Sequence, residues 1–265
     1  MNTNSRITSI LCTPTLDASV TGFPTFDLSE LNLDADLDFP IPTDVRLGHV
    51  AEHIVSQLIK SSANYDVLNE NIQLIEDNTT IGEIDFILAS RDTGQVIHVE
   101  LGYKFFLYDP SISSDIVHNW IGPNRNDSLT EKLDKVKHKQ FPLLYHDALA
   151  SRLDKVQPED ITQKLCLLVS LFVPFAYEGQ LPSAYQQAIK GYYLTGTHFM
   201  SLDHSEKAYH IPPKLEWGID PAEHNHWNSF VEIEAHIQKS MAEKRSLLCW
   251  EKHRDAYASF FIVWW

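Results

Sequence analysis

Residues 95–108 read QVIHVELGYKFFLY, apolar on both faces apart from His98, Glu100 and Lys104. A strand of that kind needs cover on both sides, which makes it a central strand of a layered α/β sheet. Two further β segments precede it, NIQLIED and IGEIDFILAS, separated by the turn signals DNTT and RDTG. Their Ile, Val and Phe content predicts three antiparallel strands in a meander. A four-residue turn at 91–94 sets Ser90 opposite Gln95 and, counting back along both strands, Asp85 opposite Glu100. Directly paired side chains lie within ~5.5 Å, and two like charges there are destabilising. A shared proton, a nearby cation or a bound metal has to compensate. His98, Gly102 and Lys104 share the face of Glu100, and Gly102 leaves open space between carboxylate and ammonium. A register slip of one residue would separate Asp85 from Glu100.

The elements around the meander predict a mixed α/β core. DVRLGHVAEHIVSQLIKSSA, with Thr43 or Asp44 as N-cap, places Leu47, Val50, Ala51, Ile54, Val55, Leu58 and Ile59 on one helical stripe, with Glu52 at its edge. After a GPN loop (Gly122–Asn124), Ser128 and Glu131 form a capping box for a second helix, ended or kinked by Pro142. On that helix Gln140 falls among Leu129, Leu133 and Val136, beside a stripe of Lys132, Lys135 and Lys139. The run KLCLLVSLFVPF reads as a buried parallel strand. The core order is thus helix, three strands, helix, strand. AIKGYYLTG, a PPKLEW loop, a polar helix around VEIEAHIQKSMAEKR, and the pair LLCWEK and SFFIVWW follow as a C-terminal α+β extension. The expected organisation is an acidic, extended or partly disordered arm at 1–44, a core at 45–175 and the extension at 176–265.

Composition narrows the function classes. Among 265 residues, 36 acids oppose 21 Lys plus Arg for a net charge of −15, which excludes wholesale attraction to nucleic acid but not a local basic patch. No apolar run approaches the ~18 residues that cross a bilayer, and the N-terminus lacks the pattern of a secretory signal. Three scattered cysteines without a CxxC spacing read as buried free thiols in a cytoplasmic protein, with no cysteine zinc site.

Paired carboxylates suit hard divalent cations such as Mg²⁺, which polarise a phosphoryl oxygen and lower the pKa of bound water. Lys104 is placed to orient that water, the Gln140 amide needs polar partners at the sheet, and the lysine stripe suits a phosphate backbone or a solvated face. A competing pattern, His49-Val-Ala-Glu52-His53, matches the H-x-x-E-H of zinc peptidases, but both histidines point away from the apolar face. His224 and His226 read as surface residues.

The order Glu52, Asp85 in GEIDF, Glu100 and Lys104 in HVELGYK, then Gln140 resembles the PD-(D/E)XK nuclease superfamily. GEIDFILASRDTGQVIHVELGYKFFL, WIGPNRNDSLTEKL, KGYYLTG and PPKLEW together resemble an uncharacterised bacterial branch of it, the domain of unknown function 1853, over roughly residues 45–220. The resemblance implies a restriction-endonuclease-like mixed central sheet flanked by helices, and Mg²⁺- or Mn²⁺-dependent phosphodiester hydrolysis of DNA or RNA. It implies Asp85, Glu100 and the Leu101 carbonyl as metal ligands, Lys104 serving the attacking water, and Glu52 and Gln140 as auxiliary residues. In the superfamily the lysine comes two residues after the acid, where this chain has Gly102. The alternative is a catalytically inactive relative that binds nucleic acid or protein.

Overall fold

The computed structural model describes residues 3–33, 37–150 and 156–265. In chain order it begins with helices α1 (Thr3–Leu11), α2 (Ala18–Thr21) and α3 (Leu47–Ser61). Strands β1 (Tyr65–Glu76), β2 (Thr79–Ser90), β3 (Val96–Tyr108) and β4 (Trp120–Ile121) follow. Next come α4 (Leu129–Lys135), α5 (Asp147–Ala150), β5 (Thr162–Pro174), α6 (Ser183–Gln186) and β6 (Ile189–Thr195). The last elements are α7 (Gly196–Ser201), β7 (Lys207–His210), α8 (Phe230–Ala242), β8 (Leu247–His253) and β9 (Ala256–Val263).

The chain forms two compact units, each drawn from separated stretches. The hairpin unit comprises Pro14–Tyr103 and Glu131–Leu168; the C-terminal unit comprises Met1–Thr13, Lys104–Thr130 and Val169–Trp265. The two therefore interleave in sequence rather than following boundaries near 44 and 175. Within the acidic arm, α1 is helical where an extended chain is expected, and residues 14–33 run beside β5, with Leu16 N–H donating to the Leu167 carbonyl at 3.0 Å and Phe26 N–H to Leu165 at 3.1 Å. Asp34 and Asp36 of the arm lie outside the described residues.

In the hairpin unit, β1 and β2 are joined by Asp77 and Asn78, both with positive φ (47° and 61°). That pair of left-handed residues makes the turn that matches the right-handed twist of its strands. The next turn is the four-residue one expected: Ser90 N–H donates to Gln95 O at 2.9 Å, Gly94 N–H to Ser90 O at 2.8 Å, and Gly94 takes φ +69°. Phe86 pairs with Val99, Ile87 with His98 and Leu88 with Ile97, which is the register the turn length predicts. Strand β5 lies next to β3. His98 touches Gln163 and Gly102 lies against Leu167, so both pairs advance together and the two strands run in the same direction.

All seven stripe residues of α3 are buried, and the helix packs on β1. It starts at Leu47 with Arg46 as N-cap and no side-chain cap, two or three residues later than Asp44 or Thr43 would set it. Burial of the stripe, at about 1.5–3 kcal/mol per large aliphatic side chain, supplies what the missing cap does not. On the sheet, Ile72, Leu74, Ile84 and Ile87 pack with Leu143, Leu144, Leu149 and Ile161.

The C-terminal unit is a mixed sheet in which β5, β6 and β9 are parallel while β9, β8 and β7 are antiparallel. Helix α8 begins at a capping box made by Ser229 and Glu232. Its Ile233 and Ile237 join Phe199, Tyr209, Cys249 and Phe260 in a core on that sheet. Cys166 and Cys249 are buried free thiols, whereas Cys12 is exposed, because it sits just past the C-terminal end of α1. Among the described residues no helix is long and apolar enough to cross a membrane.

Candidate active site

The predicted strand register brings the two acids together in the hairpin unit. Glu100 is fully buried and Asp85 is 9 % exposed. Asp85 Oδ2 accepts the Leu101 N–H at 2.7 Å, and Glu100 accepts hydrogen bonds from the Asp85 backbone and side chain. The two carboxyl groups are thus close enough for the protonation of one to affect the other. Burial first, and then the Glu100 charge, push the Asp85 pKa up to about 8; burial also raises Glu100, with Lys132 pulling the other way. Two carboxylates cannot both ionise here without a cation to offset their desolvation.

A hydrogen-bonded chain fixes Glu100. Gln163 Nε2 donates to the Phe141 carbonyl at 2.8 Å and lies 3.1 Å from His98 Nδ1. The amide nitrogen is a donor, so His98 Nδ1 accepts, and the ring proton sits on Nε2, 2.8 Å from Glu100 Oε1. His98 is fully buried, which pushes its pKa down to about 4; the contact is a neutral imidazole donating to a carboxylate rather than an ion pair. On the other oxygen, Gln140 Nε2 donates to Glu100 Oε2, and Gln140 Oε1 accepts from Lys132 Nζ at 3.0 Å. Since an ammonium only donates, it dictates which end of the Gln140 amide faces Glu100.

Lys132 is the residue whose place differs most from the sequence reading. Its Nζ also lies 3.4 Å from the Leu101 carbonyl. A Cβ built on Gly102 would sit 2.6 Å from Leu167 Cδ1, 3.0 Å from Lys132 Cε and 3.7 Å from Lys132 Nζ. The Lys132 side chain therefore fills the space over Gly102, where a lysine two residues after Glu100 would project. Lys104 instead donates to Asp127 Oδ2 at 2.7 Å, both in the C-terminal unit, with side chains 35 % and 44 % exposed. Lys135 and Lys139 are exposed, and Lys135 contributes favourably to the Glu100 charge.

Gln140 reaches the sheet through a local departure from helical geometry. After Lys135 the chain makes a π turn over Val136–Gln140, with Phe141 N–H donating to the Val136 carbonyl five residues back. Such widened turns recur at functional sites. Glu52 stands at the edge of the α3 stripe with its Oε2 2.8 Å from His49 Nδ1, and its charge adds to the upward push on Asp85. His53 contacts the Pro40 carbonyl at 2.9 Å, so His49 and His53 do not converge as a peptidase pair would.

A second polar cluster lies in the C-terminal unit. His210, Glu216 and His224 are the one group of three such side chains, among the described residues, whose ligating atoms all approach within 4.8 Å. Burial, and then the neighbouring imidazoles, push the His210 pKa down to about 4. His224, expected on the surface, is partly buried with its ring centroid 3.6 Å from that of His210.

A family model described as Domain of unknown function (DUF1853) matches residues 15–257. The chain belongs to this family. The match extends well beyond residues 45–220, taking in most of the acidic arm and β8 and ending at the start of β9, so both compact units are part of the DUF1853 unit. No curated protein and no solved structure matches the chain.

Of the residues singled out in the sequence, Asp85, Glu100, Leu101 and Gln140 come together in this DUF1853 chain, Glu52 lies within electrostatic reach, and Lys104 is paired elsewhere. Three members of the site were missed in these roles: His98, Gln163 and Lys132. His98 was detectable as a residue on the Glu100 face; Lys132 and Gln163 carried no local signal for this role.

Proposed function

We propose that this protein is a PD-(D/E)XK-type nuclease with a restriction-endonuclease-like core, hydrolysing phosphodiesters of DNA or RNA with Mg²⁺ or Mn²⁺. The observation that carries the reading is the lysine lying over Gly102 beside two buried carboxyls. Helix, three strands, helix and strand follow one another through the hairpin unit, in keeping with such a core. The donor set fits a hard divalent cation: two carboxylates that need charge compensation and the adjacent Leu101 carbonyl, all oxygen. When bound, such an ion supplies Lewis-acid activation of the phosphoryl oxygen and of water.

The chain's own groups have distinct tasks. Asp85, Glu100 and the Leu101 carbonyl hold the cation. His98 and Gln140 orient the Glu100 carboxylate through one donor to each oxygen. Lys132 stabilises charge developing on the phosphate and positions water. Exposed Lys135 and Lys139, on the same helical segment, contact the backbone of the nucleic acid. Glu52 tunes Asp85.

A second reading, a non-catalytic nucleic-acid- or protein-binding module, draws on two observations. Both Glu100 oxygens already accept hydrogen bonds, and Lys104 is turned to Asp127. Calorimetric titration with Mn²⁺ of the wild type, Asp85→Asn and Glu100→Gln separates the two readings, together with cleavage of single- and double-stranded DNA and RNA in Mg²⁺ or Mn²⁺. The nuclease reading expects saturable binding and cleavage, both lost in either variant. Cleavage that survives both substitutions, or metal binding indifferent to them, would refute it; nucleic-acid binding without cleavage would establish the second reading.

A further inference from the structure

The C-terminal unit carries a metal-ligand constellation that the nuclease reading does not use. His210 ends β7, Glu216 ends the 3₁₀ turn Lys214–Glu216, and His224 follows the 3₁₀ turn Pro221–Glu223. Sequence separations of six and eight residues give no recognisable motif; the fold brings the three together. His210 Nε2 lies 3.8 Å from Glu216 Oε2. More telling is that Nε2 of His210 and Nε2 of His224 are both shut off from solvent with no hydrogen-bond partner among the described residues. Buried polar atoms are almost always satisfied, and exceptions call for a ligand, a water or an ion.

We propose that His210, Glu216 and His224 form a zinc site. Two imidazole nitrogens and one carboxylate oxygen are the donor set of an open tetrahedral zinc centre, which leaves a fourth position for water or an exogenous ligand. Ligands on bonds of 2.0–2.1 Å stand about 3.3 Å apart in a tetrahedron. The 3.8 Å separation of His210 from Glu216 is within a small side-chain adjustment of that value.

The surroundings hold each ligand in place. Tyr209 and Asn228 exchange backbone hydrogen bonds at 2.7 and 2.8 Å, which ties the loop after His224 to the strand that ends in His210. Arg6, fully buried, donates to the carbonyls of Leu215 and Trp217 on either side of Glu216. Trp250 packs at 5.4 Å from the His210 ring and 5.7 Å from the His224 ring, an apolar wall that keeps water out and strengthens metal–ligand attraction. Asp220, capping the turn before His224 through the Ala222 N–H at 2.9 Å, fixes the entry of that loop.

The test takes the full chain, stripped with a chelator, and titrates Zn²⁺ in competition with a colorimetric indicator. Co²⁺ serves as a parallel probe of geometry through its visible absorption. The expected result is one tight equivalent of zinc and a tetrahedral Co²⁺ spectrum. Glu216→Gln and His224→Gln weaken binding by more than about 100-fold, beyond the range expected of an outer-shell change. Asp85→Asn leaves zinc affinity unchanged, which makes failure here distinguishable from failure of the nuclease reading. Zinc binding that persists in both ligand variants, or no saturable binding, would overturn the proposal. If either variant unfolds, X-ray absorption on the zinc-loaded wild type decides: two imidazoles and an oxygen support the site, and a sulfur-containing shell overturns it.

Discussion

Replacing Asp85 by Asn removes one member of the buried carboxyl pair while keeping an oxygen to accept the Leu101 N–H. In the metal-free wild type both carboxyls are raised, to about 8, against unfolded values near 4. A raised folded pKa means that the folded state binds the extra proton. The associated stability is present at low pH and is lost as pH rises toward 8. His98 acts in the opposite sense: its folded pKa of about 4 against about 6.5 unfolded makes stability rise with pH below 6.5. The carboxyl pair is therefore best read between about pH 6.5 and 8, where each proton held only by the folded state costs about 1.4 kcal/mol per pH unit. One shared proton predicts a loss of about 2 kcal/mol over that window. For a chain of this size the corresponding fall in Tm is roughly 4–8 °C. Thermal melts in a chelator across that range should show the slope in the wild type and a much flatter profile in Asp85→Asn, which becomes the more stable protein at alkaline pH. Added Mn²⁺ should restore the wild type alone. Parallel profiles for the two proteins, or a wild-type Tm that rises with pH, would refute the buried-pair reasoning.

Other substitutions probe the remaining contacts. Lys132→Ala should abolish nucleic-acid cleavage, whereas Lys104→Ala, which breaks only a part-exposed ion pair with Asp127, should cost under about 1 kcal/mol and leave cleavage intact; activity dependent on Lys104 instead would reverse the assignment. Gly102→Ala places a methyl 2.6 Å from Leu167 and 3.0 Å from Lys132, so overpacking of about 1–3 kcal/mol and reduced cleavage are expected by denaturant unfolding and assay. His98→Leu leaves Glu100 Oε1 without its donor, and should lower stability by about 1–3 kcal/mol and weaken Mn²⁺ binding; unchanged calorimetry would show that His98 does not orient the carboxylate.

Much of the hairpin unit is legible in the sequence because the signals there are local. The α3 stripe repeats at helical spacing, the three strands carry β-branched and aromatic runs, and one turn length sets the Asp85–Glu100 register. The α1 helix escaped because nine largely polar residues give no clear period. The start of α3 lies later than its capping residues suggest because a capping residue is only a preference, and here packing sets the boundary.

The sites divide along the same line. The sequence by itself determined that two acids face each other on neighbouring strands, since strand alternation and turn length are properties of contiguous residues, whereas Gln140 reaches them through a π turn that regular helical spacing does not contain. Only the tertiary structure decided which lysine lies beside the pair. Lys132 follows Gly102 by thirty residues, and its approach depends on where α4 and the π turn settle on the sheet. The same holds for His210, Glu216 and His224, whose spacing matches no pattern and whose convergence comes from two short turns closing on the end of β7. Local periodicity is written in neighbouring residues; the meeting of distant side chains is set by how the elements pack.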